Sequence, residues 1–316
     1  MRWGIIGTGG IAETMADTIR HMEDAVVTAV ASRSEERARR FAAAHGVPAA
    51  FDSAEGLALS DDVDCVYVAS SNHNHLEDAT ICLLNGMPVL CEKPVTTSLA
   101  DAEQLIGTAR STGTFLMEGM WMRFQPFWVP MIDWLEQGRI GELRYIAADF
   151  GFPAEPDPGR RWFDPSQGGG ALLDVGIYPL TLACLLAGPP ERTAHVAVPA
   201  HTDVDAQTAV LLRHGRGVLS VLGSSFVADT SIEATICGPE GRIHLASPFH
   251  HSPRLTLWSK DRLVDELDTS YAGSGYRWEV REVQRCVAEG LHESPMHPLD
   301  DTLMVMRVID GIAGEL

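Results

Sequence analysis

The chain is 316 residues long and 45% hydrophobic, with near-zero mean hydropathy and a formal net charge of −19. That length suits about two domains with cores of their own, and the acidity argues against nucleic acid or an anionic membrane as partner, since both repel such a surface. No stretch approaches the roughly 18 consecutive apolar residues of a membrane span.

Met1-Arg2-Trp3-Gly4-Ile5-Ile6-Gly7 enters a strand at once, without the long apolar run and small-residue cleavage site of a signal peptide, so a cytoplasmic address is expected. The six cysteines (Cys65, Cys82, Cys91, Cys184, Cys237 and Cys286) are scattered, with no Cys-x-x-Cys pair. They read as reduced core residues, and no metal site is expected.

Residues 2–6 form a short apolar strand that runs into Gly7-Thr8-Gly9-Gly10-Ile11-Ala12 and a helical pattern to about Met22. Gly-x-Gly-x-x-Ala at a strand-to-helix turn is a dinucleotide-binding pattern. Gly7 permits the tight turn, Gly9 lets the backbone approach a pyrophosphate, and Ala12 allows close helix packing. The unpaired N–H groups at the helix start face the phosphates.

A second strand, about Val26–Ala31, ends in Ser32-Arg33-Ser34, with Arg37 one turn into the next helix. Ser32 stands where an NAD site carries an acid for the ribose hydroxyls, about 20 residues beyond the glycine turn. A hydroxyl and two guanidinium groups instead suit the 2′-phosphate of NADP through charge-assisted, often bidentate bonds. The same arginines also fit a solvated helix face balanced by Glu35 and Glu36.

Asp64–Ala69 is a third strand, followed by Ser70-Ser71-Asn72-His73-Asn74-His75 and a helix to about Asn85. The two histidines lack a carboxylate or thiol at ligand spacing, so Ser71, Asn72, His73 and His75 are assigned to packing or cofactor contact. Next comes Pro88-Val89-Leu90-Cys91-Glu92-Lys93-Pro94, an apolar strand that delivers two charges and a proline where turn residues are usual. A lysine there lies at the carboxyl end of a buried strand, where open α/β sheets bind ligands, and the proline restricts it to extended geometry. Ser98 caps a helix to about Arg110, and Thr114–Glu118 is the last strand of a parallel doubly wound half that closes near residue 120.

Phe124–Gln137 reads as a helix. Strand-like segments then dominate, at 142–152, 194–199, 206–213, 217–226, 230–237, 241–245, 254–258 and 262–267, with turns too short for parallel crossovers. The second domain, 121–316, is therefore expected to be α+β with a large, mostly antiparallel open sheet. Between its first two strands Gly168-Gly169-Gly170 feeds a helix that carries Asp174 and Tyr178 four residues apart, on one face. An aspartate beside a phenol suits acid–base work, since charge proximity sets proton affinities. Structural roles for both fit equally. Trp121, Arg123, Phe124, Arg161 and Trp162 offer cations and aromatic faces that suit either a sugar-like substrate or a domain junction. His250-His251 receives no role, and a last helix, about Leu299–Ile312, turns Leu303, Met306, Val308 and Ile309 to the core.

Gly7-Thr8-Gly9-Gly10-Ile11-Ala12, Ser71-Asn72-His73 and Glu92-Lys93-Pro94, at these separations, resemble the Gfo/Idh/MocA oxidoreductase family over essentially the whole chain. The Met117–Phe124 stretch is similar to its branch of dihydrodiol and D-xylose dehydrogenases and anhydrofructose reductase. The resemblance implies a Rossmann first domain (residues 1–120) binding NADP(H), with Glu92 and Lys93 at the cofactor and Lys93 catalytic; the bond to Pro94 is often cis in the family. It further implies Tyr178, a histidine in most members, as proton donor or acceptor, Asp174 as its orienting or substrate-binding partner, and dimerisation through the second sheet. The activity expected is hydride transfer between nicotinamide and a sugar, polyol or dihydrodiol-like alcohol. The alternatives are an NADP-sensing regulator on the same fold and an NAD-linked polyol or inositol dehydrogenase.

Overall fold

The computed structural model describes residues 1–155 and 160–314. In the first part of the chain, strands and helices alternate: β1 (Arg2–Ile6), α1 (Gly10–Arg20), β2 (Val26–Ala31), α2 (Glu35–His45), β3 (Ala49–Phe51), α3 (Ala54–Ala58), β4 (Cys65–Val68), α4 (His75–Leu84), β5 (Val89–Glu92), α5 (Leu99–Thr112) and β6 (Leu116–Gly119). The six strands form one all-parallel sheet in the order β3-β2-β1-β4-β5-β6. Every residue of β4, β5 and β6 is buried, as a parallel sheet covered on both faces requires, which explains why these strands read as continuous apolar runs.

The helices are set by their caps and apolar stripes. Ser34, Ser53 and Ser98 accept backbone N–H bonds at the starts of α2, α3 and α5, and left-handed glycines, Gly46 and Gly113, close α2 and α5. In α1 the buried set Ala12, Met15, Ala16 and Ile19 follows the three- and four-residue spacing of one helical face. Reading the sequence placed no element between α2 and β4. The structure puts β3 and α3 there, elements of three and five residues that are too short to show a period.

The remaining elements are α6 (Trp128–Glu136), β7 (Tyr145–Gly151), α7 (Ile177–Ala187), β8 (Pro190–Pro199), β9 (Asp205–His214), β10 (Leu219–Ser225), β11 (Ala234–Cys237), β12 (Arg242–Leu245), β13 (Arg254–Ser259), β14 (Arg262–Asp268), α8 (Arg277–Ala288) and α9 (Leu299–Ala313). An eight-stranded sheet runs β14-β13-β12-β11-β7-β10-β9-β8, antiparallel except for the β7–β10 pair. In β9 burial alternates residue by residue, so one sheet face is covered. On the other face Leu211, Leu219 and Val221 are exposed. By length and composition the helical run Pro165–Ala187 could cross a bilayer, although polar residues such as Asp174 and Thr181 interrupt its apolar sequence. The 18-residue apolar stretch within it is 83% buried in the protein, the setting of a core helix.

By contacts the chain divides into two compact units. The first comprises Met1–Trp121 and Gly273–Leu303, the second Met122–Ala272 and Met304–Leu316. Residues 273–303, which a division at residue 120 would assign to the second half, thus group with the parallel sheet.

Within the first unit, Glu118 on β6 makes this grouping physical. One carboxylate oxygen accepts the Val95 N–H at 3.1 Å; the other accepts the Thr302 hydroxyl at 2.9 Å and lies 3.3 Å from His297 Nε2. All of these groups are buried, where an unsatisfied donor costs about 1–3 kcal/mol. Glu118→Ala is therefore expected to lower the unfolding free energy by about 2–3 kcal/mol in urea, and Thr302→Val by about 1 kcal/mol. Equal, negligible losses for both would show that this buried bracket contributes nothing.

Candidate active site

The ends of β1, β2, β4 and β5 carry the residues that the sequence singles out. Gly7 closes β1 with φ of +114°, and a Cβ there would fall 2.4 Å from the Ala69 carbonyl oxygen, so no other residue fits without moving β4. Gly9 is the N-cap of α1 and offers no side chain to its amides; a Cβ on Gly9 or Gly10 would meet nothing within 4 Å. The α1 amino terminus thus faces open space, with no side chain among the described residues capping its N–H groups, the setting in which a phosphate binds. Thr8 and Ile11 flank it half-buried, and Ala12 is buried under the helix.

At the end of β2, Ser32 is buried and Arg33 reaches Asn74 Oδ1 at 3.3 Å. Ser34 is committed to capping α2 through the Arg37 N–H, and Arg37 itself is exposed. After β4, Asn72 and Asn74 are buried, and neither amide nitrogen has a hydrogen-bond partner among the described residues. Ser71 is half-buried and His73 exposed. Buried donors without partners, beside an open helix start, are what a phosphate- and hydroxyl-rich dinucleotide satisfies, so these residues fit NADP(H).

The Lys93 turn is braced from below. Glu92 is buried and accepts hydrogen bonds from the Tyr67 hydroxyl and, at 3.1 Å, from the Lys93 backbone N–H. Burial first, and then the charge of Glu92, push the Tyr67 phenol well above its usual range, so it remains a neutral donor. His75 is fully buried: Nδ1 lies 2.9 Å from the Pro94 carbonyl oxygen and Nε2 3.1 Å from that of Ser70. The ring therefore cross-links the loops after β4 and β5. Lys93 is half-buried, and its bond to Pro94 is cis.

Trp121, also in the first unit, stacks on Tyr276 with ring centroids 4.7 Å apart.

In the second unit, Asp174 lies in a π-helical turn (Leu172–Gly176) that leads into α7, where Tyr178 occupies the first turn. π turns are rare and frequent at functional sites. Asp205 fixes the entry: it accepts the Leu172 N–H at 2.7 Å and the Thr208 hydroxyl at 2.8 Å, and Gly170 lies so close that a Cβ would fall 2.3 Å from Asp205 Oδ1. Burial raises the Asp205 carboxyl to about 6. Asp174 is buried and takes a hydrogen bond from the half-exposed Arg161 guanidinium at 3.2 Å. Tyr178 is buried against Phe150 and His250, with centroid separations of 5.5 and 5.1 Å. His250 stacks nearly parallel on Phe150 at 4.6 Å.

Sequence reading missed His250 and Asp205. The contacts that tie them to the Asp174–Tyr178 segment, Asp205 to the Leu172 N–H and His250 to Phe150 and Tyr178, are distant in the chain. Trp162 packs with Phe152 and Phe226 around the buried Phe163, and the Arg123 guanidinium lies 4.9 Å from the Trp128 ring centroid. Phe124 is buried. These three therefore have protein neighbours that account for their positions.

Residues 1–120 match the family model described as "Oxidoreductase family, NAD-binding Rossmann fold", and residues 129–244 match the GFO/IDH/MocA C-terminal domain. The chain belongs to the Gfo/Idh/MocA oxidoreductase family. Its similarity extends over full lengths. It is 33% identical to trans-1,2-dihydrobenzene-1,2-diol dehydrogenase of Xenopus tropicalis, covering 100% of this chain and 98% of the relative. The human protein of the same name is 32% identical, at 99% and 96% coverage. Among solved structures, KijD10, a 3-ketoreductase from Actinomadura kijaniata in complex with NADP and TDP-benzene, superposes with a TM-score of 0.86 at 30% identity, covering 99% of this chain and 97% of that one. The parallel sheet is thus the NAD-binding domain of a family oxidoreductase, and the antiparallel sheet the core of the family's C-terminal domain.

Proposed function

We propose that this protein transfers a hydride between NADP(H) and a carbinol or carbonyl carbon of a sugar, polyol or dihydrodiol. The observation that carries the reading is the Lys93 turn, a cationic side chain at the carboxyl end of a central parallel strand whose backbone is held by buried Glu92. Relatives named as diol dehydrogenases, together with a 3-ketoreductase seen with NADP, support it.

NADP(H), when bound, supplies or accepts the hydride. The rest falls to the chain. In oxidation the carbinol gives up its hydroxyl proton and a hydride from carbon; in reduction the carbonyl gains both. Lys93 donates a hydrogen bond to the reacting oxygen and stabilises the negative charge that develops on it. Tyr178 takes up or delivers the proton, and Asp174, oriented by Arg161, holds a substrate hydroxyl. Gly7, Gly9 and the start of α1 hold the pyrophosphate, while Ser32 and Arg33 recognise the 2′-phosphate.

Six free cysteines fit a reducing, cytoplasmic setting. We further propose a homodimer through the open face of the eight-stranded sheet, because Leu211, Val221 and Leu219 form an exposed apolar strip across β9 and β10.

Lys93→Ala is expected to lower kcat by at least about 100-fold in a nicotinamide absorbance assay with trial diols and aldoses, with NADPH affinity largely kept. Tyr178→Phe should likewise act on kcat and spare cofactor binding; undiminished turnover in either variant would refute its assigned role. Removing the Arg33 guanidinium (Arg33→Ala) should weaken NADP by about tenfold while changing NAD little, and an unaltered NADP/NAD ratio would discard the 2′-phosphate assignment. Sedimentation equilibrium should find a dimer that Leu211→Arg converts to monomer; a wild-type monomer would rule out the interface.

A further inference from the structure

The segment that carries Asp174 and Tyr178 is anchored from far along the chain. A helix start is ordinarily capped by the residue just ahead of it, as Ser34, Ser53 and Ser98 cap α2, α3 and α5. Ahead of the π turn stand Gly168-Gly169-Gly170, which have no side chain to offer. The anchor is Asp205, the first residue of β9 and 33 positions beyond Leu172, whose N–H it accepts at 2.7 Å. Thr208, buried on the same strand, donates to the same carboxylate oxygen at 2.8 Å. Gly170 has φ of +118°, and a Cβ on it would fall 2.3 Å from Asp205 Oδ1, so the glycine turn and the carboxylate are fitted to each other.

This anchor stands at one end of a register row of the sheet. Thr208 of β9 lies opposite Ser224 of β10, and Ser224 opposite Phe150 of β7. Residues directly opposite one another share a face of a sheet, so the three side chains make one line across it. The segment follows that line. Leu172 bonds Asp205 beside Thr208, a Cβ on Gly176 would fall 3.1 Å from Ser224 Oγ, and Tyr178 packs on Phe150 with centroids 5.5 Å apart. Ala171 and Val175 also pack with Phe163, Val204 and Phe226, but apolar attraction is non-directional and does not fix the segment along the row. A hydrogen bond does, because its distance and angle are narrow.

We propose that Asp205 is a positioning residue for the reaction: its ionised carboxylate pins the π turn at one end of this row and so sets where Asp174 and Tyr178 stand. Its effect on turnover rests on the roles proposed above for those two residues; its hold on the turn does not. A neutral group of the same shape keeps the contacts but not the charge, which about doubles the strength of such bonds.

Burial raises the Asp205 carboxyl to about 6, against the bonds from Thr208 and Leu172, which lower it. The charged and titratable side chains of the segments around it are engaged elsewhere or exposed. Arg161 meets Asp174, Asp164 takes Ser166 and Gln167, Asp149 of β7 takes Ser231 and Ile232, and His201 lies beside the Phe163 ring. Asp203 and Asp229 are exposed, the β8 residue opposite Asp205 is Pro199, and β10 carries no charged side chain. The folded carboxyl holds its proton more tightly than the unfolded chain, which titrates at about 3.9. Protonation therefore favours the fold: that stability is complete below about 3.9 and is lost as the pH rises through about 6. A fall in turnover between pH 7 and 5 is thus not unfolding caused at Asp205.

The test follows oxidation of the trial diols and aldoses with NADP. At pH 8, Asp205→Ala should lower kcat about tenfold and Asp205→Asn about threefold, with NADP affinity unchanged. Thr208→Val, which leaves the carboxylate in place, should lower it about twofold and serves should Asp205→Ala fail to fold. Between pH 7 and 5 the wild-type kcat should converge on that of Asp205→Asn. Undiminished kcat in the Asn variant, or a wild-type to Asn ratio constant over that window, overturns the proposal. Hydrogen exchange read by mass spectrometry needs no turnover: the amides of residues 171–176 should exchange at least about tenfold faster in Asp205→Ala than in wild type. Equal rates would show that Asp205 does not hold the turn. A wild type that oxidises none of the substrates would instead refute the proposed function, and the exchange rates would still decide whether Asp205 pins the turn.

Discussion

A buried carboxylate at the end of a central strand is the constraint on which the cofactor unit depends. Glu92 takes the Tyr67 hydroxyl and the Lys93 amide, His75 spans the Pro94 and Ser70 carbonyls, and Glu118 takes the amide of Val95. Four consecutive residues, from Glu92 to Val95, are thereby tied to side chains from β4, α4 and β6 or to one another. A loop lysine ordinarily loses much of its rotamer freedom only when it meets its ligand. Here the backbone part of that ordering is completed on folding, which leaves only the side chain to be ordered at the reaction.

The same economy governs where the nucleotide goes. In the strand order β3-β2-β1-β4-β5-β6 the chain switches direction between β1 and β4, and the loops that follow those two strands diverge there. Gly7 belongs to one loop and Asn72 to the other. The steric requirement at Gly7, set by the Ala69 carbonyl, is a requirement of the sheet itself, because that carbonyl sits just past the end of the neighbouring strand. What makes the turn tight also opens the α1 amino terminus, so packing and phosphate binding have one cause.

Much of this was legible in the sequence because its causes are local. Continuous apolar runs marked β1, β4 and β5, Ser98 marked the start of α5, and a glycine pattern marked the nucleotide turn. The eight segments read as strands in the second half all correspond to strands, with ends shifted by a few residues. Three kinds of fact escaped. Very short elements such as β3 lack a period. The grouping of residues 273–303 with the parallel sheet rests on contacts such as that of Glu118 with Thr302, across 184 positions, which no local window contains. Residues that the fold takes out of water, such as Asp205 and His250, look in the sequence like any solvated polar group.

That last class has a common physical basis. The chain's many acids carry most of its net charge on the surface, where an ionised carboxylate costs little, and a few are buried where each must be neutralised, bonded or held as the acid. Glu118 and Asp205 are bonded to backbone amides and hydroxyls, and Asp174 is matched by Arg161. Glu279, fully buried on α8, has no such partner among the described residues, and burial raises its carboxyl well above the usual carboxylate range, so it is held as the acid.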